Sequence, residues 1–298
     1  MNTKSLSLVE SLLQKRNWIN YSPGKPFNLY SQDKVTEKQV YDELIILYKS
    51  GFRGLSCYGF FNGLENIPQI AKEIGFEKVI SLLWWPNDEL YELEKDNLKK
   101  KIHHIDSVLI GNEVIHKGLA DFDKLKNEIT ELKQRYQIPI TTGLHRFEYN
   151  MSSRLALELG DYIMCNLQTW WVNVRRDPID GAGWIKATYE EILKNPFLPK
   201  NKAVIVHEAT WPCGENIPEG ITKEKSYENQ KIFYEKLLEY NIPFIWSFST
   251  DMSFAQIKSP PGGYGGLWTE DWQPKPVVAA CLNQGPRRAS RPANSSRP

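Results

Sequence analysis

Val204-Ile-Val-His-Glu-Ala-Thr-Trp-Pro212 follows the turn-rich Asn195-Pro-Phe-Leu-Pro-Lys-Asn201 and opens on three β-branched residues. That composition predicts a short strand buried on both sides. An unpaired carboxylate inside such a strand is costly, so Glu208 is expected where the strand ends and opens into a cleft. Trp211-Pro212 then stops the ladder, because proline has no N–H to donate to it. Ser107-Val-Leu-Ile-Gly-Asn-Glu-Val114 has the same grammar, an apolar run ending in Asn112-Glu113. Apolar strands that each end in a carboxylate suit an α/β barrel, whose functional groups gather at the C-terminal strand ends.

Outward from these two stretches, strands and helices alternate along the chain. The strands are expected at Trp18–Tyr21, Gly54–Tyr58, Lys78–Trp84, Ser107–Glu113, Pro139–Gly143, Asp161–Asn166, Ala203–Glu208 and Ile242–Phe248. Helices are expected at Val40–Tyr48, Ile67–Ile74, Tyr91–Ile102, Asp121–Tyr136, Ser152–Leu159, Ile185–Leu193 and Ser226–Tyr240. Pro68 sits in a first turn and Gly75 just past a last one, as helix ends require. Phe122, Leu125, Ile129 and Leu132 share one helix face. Eight strands interleaved with helices predict the α/β class and a (β/α)8 TIM barrel as a single domain. Its expected extent is residues 1–283. Residues 284–298 are rich in Pro, Ser and Arg and almost free of apolar side chains, which predicts a flexible basic tail.

Composition narrows the function. The chain has 298 residues, 41% hydrophobic and 24% charged, enough for a large core and too few charges for global disorder. A formal net charge of +1 argues against nucleic acid or an anionic membrane as partner. No segment is long and apolar enough to span a membrane. Residues 1–16 lack the apolar run of a secretory signal, so the expectation is an intracellular protein or one whose leader has been removed. Cys57, Cys165, Cys213 and Cys281 have no metal-type spacing; Cys57 and Cys165 read as small buried hydrophobes in strands. No phosphate-binding or dinucleotide glycine fingerprint is present, and neither cofactor nor metal is expected.

The two carboxylates carry the chemistry. A pair of Asp or Glu residues, each on its own strand end, is what glycosidic bond cleavage uses. In a retaining mechanism one is the nucleophile and the other the acid/base, and an adjacent amide such as Asn112 can donate to a sugar 2-hydroxyl. The ionised nucleophile is expected to raise its neighbour's pKa and keep the acid protonated. The structural alternative is that Glu113 caps a helix and Asn112 closes a turn.

Three stretches resemble glycoside hydrolase family 17, retaining β-1,3-glucan enzymes with a (β/α)8 barrel. Val108-Leu-Ile-Gly-Asn-Glu-Val114 is similar to the family's acid motif, which implies Glu113 as acid/base. Ile205-Val-His-Glu-Ala-Thr-Trp-Pro212 is similar to the nucleophile motif and implies Glu208 as nucleophile. Phe244-Ile-Trp-Ser-Phe248 with Asp251, then Tyr264-Gly-Gly-Leu-Trp268 and Pro274-Lys-Pro276, resembles the closing strand and the loop after it. Ala209-Thr210 stands where the family has Thr-Gly, and Ser56-Cys-Tyr58 where it often has Arg-x-Tyr. The resemblance implies a β-1,3-glucan oligo- or polysaccharide as partner and hydrolysis, glucanosyl transfer, or both.

Around this pair, Tyr58 is placed to touch the nucleophile, with packing in the barrel mouth as the alternative. His145 is placed to line the cleft, and Trp170, Trp171, Trp211 and Trp246 are candidates for sugar stacking. Trp84-Trp85 divides evenly between cleft and core. His207 should point away from Glu208 by strand alternation and reads as structural; His103-His104 reads as a solvated pair, and Asp177-Pro-Ile-Asp180 as turn chemistry. The expected state is a monomer. A second function class is a non-catalytic β-glucan-binding barrel, which would have no need of a matched carboxylate pair.

Overall fold

The structure, a computed structural model, describes residues 8, 18–24, 34–85, 87–151, 153–169, 177–214, 221–252 and 264–282. Among these the strands are β1 (Trp18–Tyr21), β2 (Gly54–Tyr58), β3 (Lys78–Leu83), β4 (Ser107–Asn112), β5 (Ile140–His145), β6 (Ile163–Asn166), β7 (Val204–Ala209) and β8 (Phe244–Ser247). They pair in parallel in sequence order, and Ile19↔Trp246 closes β1 onto β8. The result is the expected single-domain (β/α)8 barrel.

The helices are α1 (Glu37–Lys49), α2 (Ile67–Ile74), α3 (Asp88–Lys101), α4 (Phe122–Tyr136), the short α5 (Arg146–Met151) and α6 (Ser153–Glu158), α7 (Pro178–Leu193), α8 (Lys223–Glu239) and α9 (Val277–Leu282). Their starts are capped by short oxygens that satisfy orphan N–H groups: Thr36 accepts from Gln39, Asn87 from Leu90 and Asp121 from Lys124. Helix α7 begins seven residues before the expected Ile185. Asp177 caps it, accepting from Ile179 and Asp180, and Pro178 sits in its first turn. The glycines at 181 and 183 had hidden that first turn, since glycine is a poor helix former. Gly181 has a tertiary reason: a Cβ there would lie 2.4 Å from the indole of Trp211.

Strand alternation divides the core. Between barrel and helices lies one large apolar cluster, to which Cys57 and Cys165 belong as expected; burial pushes the Cys57 thiol up to about 12. Inside the barrel, Trp18, Ile80, Leu82, Leu109, Tyr162, Met164, Ile205 and Ile245 form an apolar floor. Towards the C-terminal ends of the strands the interior turns polar, with Asn20, Asn166, His207 and Ser247 all buried. Asn20 heads Asn20-Tyr21-Ser22, which matches the pattern of glycosylation acceptors, but it is fully buried, so it is no glycan acceptor. After β8, Asp251 accepts from the Gly266 amide at 3.0 Å and from Lys275 at 2.6 Å. That buried ion pair fixes the Tyr264–Trp268 loop over the barrel end. No helix among the described residues is long and apolar enough to cross a membrane.

Candidate active site

Glu208 and Glu113 reach the same mouth through the same backbone device. Both are left-handed, Glu208 at φ 59° and Glu113 at φ 60°. The β7–β8 ladder shifts register between Val206 and Ala209, and the β4–β5 ladder between Leu109 and Asn112. An extra residue at a strand end re-aims the side chain that follows. Gly111, itself at φ 64°, permits the turn, because a Cβ there would meet Val114 at 2.5 Å. Glu113 is then held by its amide, which donates to the Gly143 carbonyl at 2.9 Å.

Glu208 is buried and receives three side-chain donors. The Tyr58 hydroxyl donates to Oε1 at 2.6 Å, the Asn112 amide to the same oxygen at 2.9 Å, and the Gln168 amide to Oε2. Asn166 joins the two carboxylates: its amide nitrogen donates to Asn112 Oδ1 at 2.9 Å and to Glu113 Oε1 at 3.1 Å. Lys117 lies 3.5 Å from Glu113 Oε2 and donates to the Asn112 carbonyl at 2.9 Å.

His207 sits directly beneath. It is fully buried, and burial lowers its pKa to about 3, so the ring is neutral. Its Nδ1 is 2.9 Å from Asn166 Oδ1, and its Nε2 is 3.2 Å from the Asn20 amide nitrogen. The amides assign the tautomer: Nδ1–H donates to Asn166, and Nε2 accepts from Asn20. His207 is therefore structural, as expected, but it does not point away from the site. Tyr58 stacks on its ring, 6.1 Å between centroids, while donating to Glu208. Simple alternation fails because the left-handed turn at Glu208 brings both side chains to the barrel axis.

Burial raises Glu208 to about 7, the facing Glu113 charge adds to this, and the Tyr58 and Asn112 hydrogen bonds with Lys117 pull it down. Glu208 is the more deeply buried of the two carboxylates.

Of the remaining sequence candidates, His145 lies at the end of β5 beside Glu113, and burial lowers its pKa. Trp211 and Trp246 are corrections. Trp211 is 3% exposed, slotted against Gly181 and Phe233; Trp246 is fully buried between Phe233 and Tyr234, its Nε1 donating to the Gly265 carbonyl at 3.1 Å. Both pack outside the barrel wall and offer no face to a ligand. Trp85 is likewise buried, stacked on Tyr91 at 4.2 Å, whereas Trp84 is only partly buried, against Phe61. Trp170 and Trp171 lie outside the described residues. Sequence reasoning passed over Asn20, Asn166 and Gln168, amides whose only signal is their place in or just past a strand.

The model of the BtgE/BtgC glycoside hydrolase domain matches residues 19–268, almost the whole barrel. The chain belongs to this family. No curated protein matches it in sequence. Solved structures share the fold of this BtgE/BtgC-type glycoside hydrolase domain. An active-site mutant of Rhizomucor miehei β-1,3-glucanosyltransferase in complex with laminaritriose aligns with a TM-score of 0.71 and 16% identity, over 89% of this chain and 97% of that one. A GH5_18 protein from Bifidobacterium longum subsp. longum gives 0.64 and 14%, over 89% and 77%. Faecalibacterium prausnitzii β-glucuronidase gives 0.67 and 13%, over 91% and 48%. The chain is a glycoside hydrolase domain of the BtgE/BtgC family, with one buried carboxylate, Glu208, and one partly exposed, Glu113, at the mouth of its barrel.

Proposed function

We propose that the chain is a retaining glycosidase of β-1,3-glucan, with Glu208 as nucleophile and Glu113 as acid/base, and that it also transfers glucanosyl units. Its catalytic unit is residues 1–283, acting as a monomer. The observation that carries the assignment of roles is the unequal dress of the carboxylates. Glu208 accepts three side-chain hydrogen bonds that fix its orientation, while Glu113 is more open and has a part-exposed cation, Lys117, as its neighbour. A nucleophile must be held on one line; an acid/base must move a proton to and from ligand atoms.

In the first step Glu208 attacks the anomeric carbon while Glu113 gives its proton to the departing glycosidic oxygen. A glycosyl ester forms on Glu208. In the second step Glu113 takes a proton from water or from a sugar hydroxyl, which attacks the same carbon and frees Glu208. Two inversions return the β configuration. Asn112, held by Asn166 and Glu208, is the donor we assign to the 2-hydroxyl of the reacting sugar, as the family 17 resemblance implies.

The β-1,3-glucan assignment is supported by the acid and nucleophile motifs and by the likeness to the Rhizomucor transferase, whose length this chain matches. Chromatography of products from laminari-oligosaccharides tests it. Shorter products establish cleavage and longer ones transfer; no change in any laminari-oligosaccharide, with turnover of another β-glycan, would reassign the substrate.

A further inference from the structure

Beside Glu113, on the side of β5, two loops are locked together by a residue that the chemistry above does not use. Glu148 is buried, and its two oxygens accept two backbone amides: His116 to Oε1 at 2.9 Å and His145 to Oε2 at 2.6 Å. One amide belongs to the loop that carries Glu113, the other to the last residue of β5. The clamp brings the two imidazoles into a stack, 5.7 Å between centroids and 21° between planes. Phe147 extends it, 4.7 Å from the His145 ring. Arg146 lies over the Phe147 ring at 4.6 Å and steadies it.

The outcome is a row of three rings at the end of β5. His116 and Phe147 are exposed, Phe147 at 45%, at the open end of a barrel that buries most of its large aromatics. Burial lowers the His145 pKa, and the row offers flat faces and ring nitrogens. Flat, weakly polar faces suit the C–H faces of a pyranose ring, and ring nitrogens suit its hydroxyls.

We propose that His116, His145 and Phe147 form the subsite for the leaving-group saccharide, the sugar that Glu113 protonates and that returns as acceptor in transfer. The inference rests on the proposed roles of the carboxylates. The acid must touch the glycosidic oxygen, so the departing sugar lies against the wall beside Glu113. β5 borders β4 on that wall, and its end carries the clamped row. Glu148 acts as a positioning residue: it sets the rings and does not meet the sugar.

A pair of donors isolates this subsite. Laminari-oligosaccharides carry a sugar leaving group, whereas a laminaribiosyl fluoride of the same glycone loses only fluoride and leaves the subsite empty. The ratio of kcat/KM on laminaritriose to that on the fluoride should fall about 5–10-fold in Phe147→Ala and in His116→Ala, both at exposed positions, and return in Phe147→Trp. Transfer products should fall more than hydrolysis products, because water needs no platform. A ratio within twofold of wild type in both alanine variants overturns the subsite and leaves the glycosidase reading standing. A wild-type protein that cleaves neither donor overturns that reading and the subsite with it.

Discussion

Glu113 and Glu208 share a left-handed backbone, φ 60° and 59°, on strands three positions apart around the barrel. For a residue with a Cβ this region costs roughly 1–2 kcal/mol, and strain of this kind persists where surrounding structure fixes it. Elsewhere in a strand alanine is better tolerated than glycine. At position 208 the order should reverse, with Glu208→Gly more stable than Glu208→Ala by about 1 kcal/mol. Urea denaturation of the two variants measures this, and the usual order would mean that the turn relaxes when the carboxylate is gone.

The pH dependence follows from the pair. Glu208 reacts as the carboxylate, and burial with the facing Glu113 charge raises its pKa to about 7. The acid limb of kcat/KM should therefore lie near pH 7, with activity rising as pH rises through it. In Glu113→Gln the neighbouring charge that raises Glu208 is removed. The acid limb for laminaribiosyl fluoride, which needs no protonation of its leaving group, should lie below 7. A limb left at 7 in the variant would exclude the coupling.

Tyr58 tests how Glu208 is held. Its 2.6 Å hydrogen bond to Oε1 favours the ionised carboxylate, and a hydrogen bond to a charged group contributes about 1.5–3 kcal/mol. Tyr58→Phe should lower kcat by roughly 10–100-fold and move the acid limb for the fluoride to higher pH, since a cause that lowers the Glu208 pKa is gone. A lower kcat with an unmoved pH profile would make Tyr58 a packing residue only.

Much of this was legible in the sequence. The eight strands stand out because each is a short apolar run between turn signals, and Glu113 and Glu208 because a carboxylate interrupts such a run. Trp211 and Trp246 did not read correctly. An indole looks the same in sequence whether it faces a cleft or fills the space that Gly181 leaves in α7. The direction of His207 was lost for a local reason, the register shift between Val206 and Ala209, which no residue pattern announces. Asn166 and Gln168 escaped notice because an amide acquires its role only from partners on other strands.

Away from the mouth, the Lys275–Asp251 pair should dominate the stability of the closing loop. Lys275 has a side chain 2% exposed, and removing one partner of a buried pair costs about 3–5 kcal/mol. Burial already raises Asp251 to about 6 against its ordinary 3.8, and Lys275 opposes that rise. In Lys275→Met the folded-state pKa should climb further. A raised pKa favours the fold below the unfolded value and loses that contribution as pH rises through the folded one. The deficit in denaturation free energy should therefore be largest near pH 8 and smallest near pH 4; a pH-independent deficit would point to lost packing instead.

The roles of the carboxylates separate by rescue. Glu208→Ala should lose glucan turnover, and azide should restore cleavage of an activated glucoside with an inverted product. Glu113→Ala should still react with the fluoride while failing on natural glucan. Identical behaviour of the two variants on both substrates would leave the labels without support.

Trapping the glycosyl-enzyme tests the central claim most directly. A 2-deoxy-2-fluoro-laminaribiosyl fluoride slows both steps, and its fluoride leaving group favours the first, so the ester on the nucleophile should accumulate. Intact-protein mass spectrometry should show one added glycosyl unit, and peptide mapping should place it on Glu208. An adduct on Glu113 or another residue, or no adduct on an enzyme that turns over the parent fluoride, would contradict a retaining mechanism through Glu208.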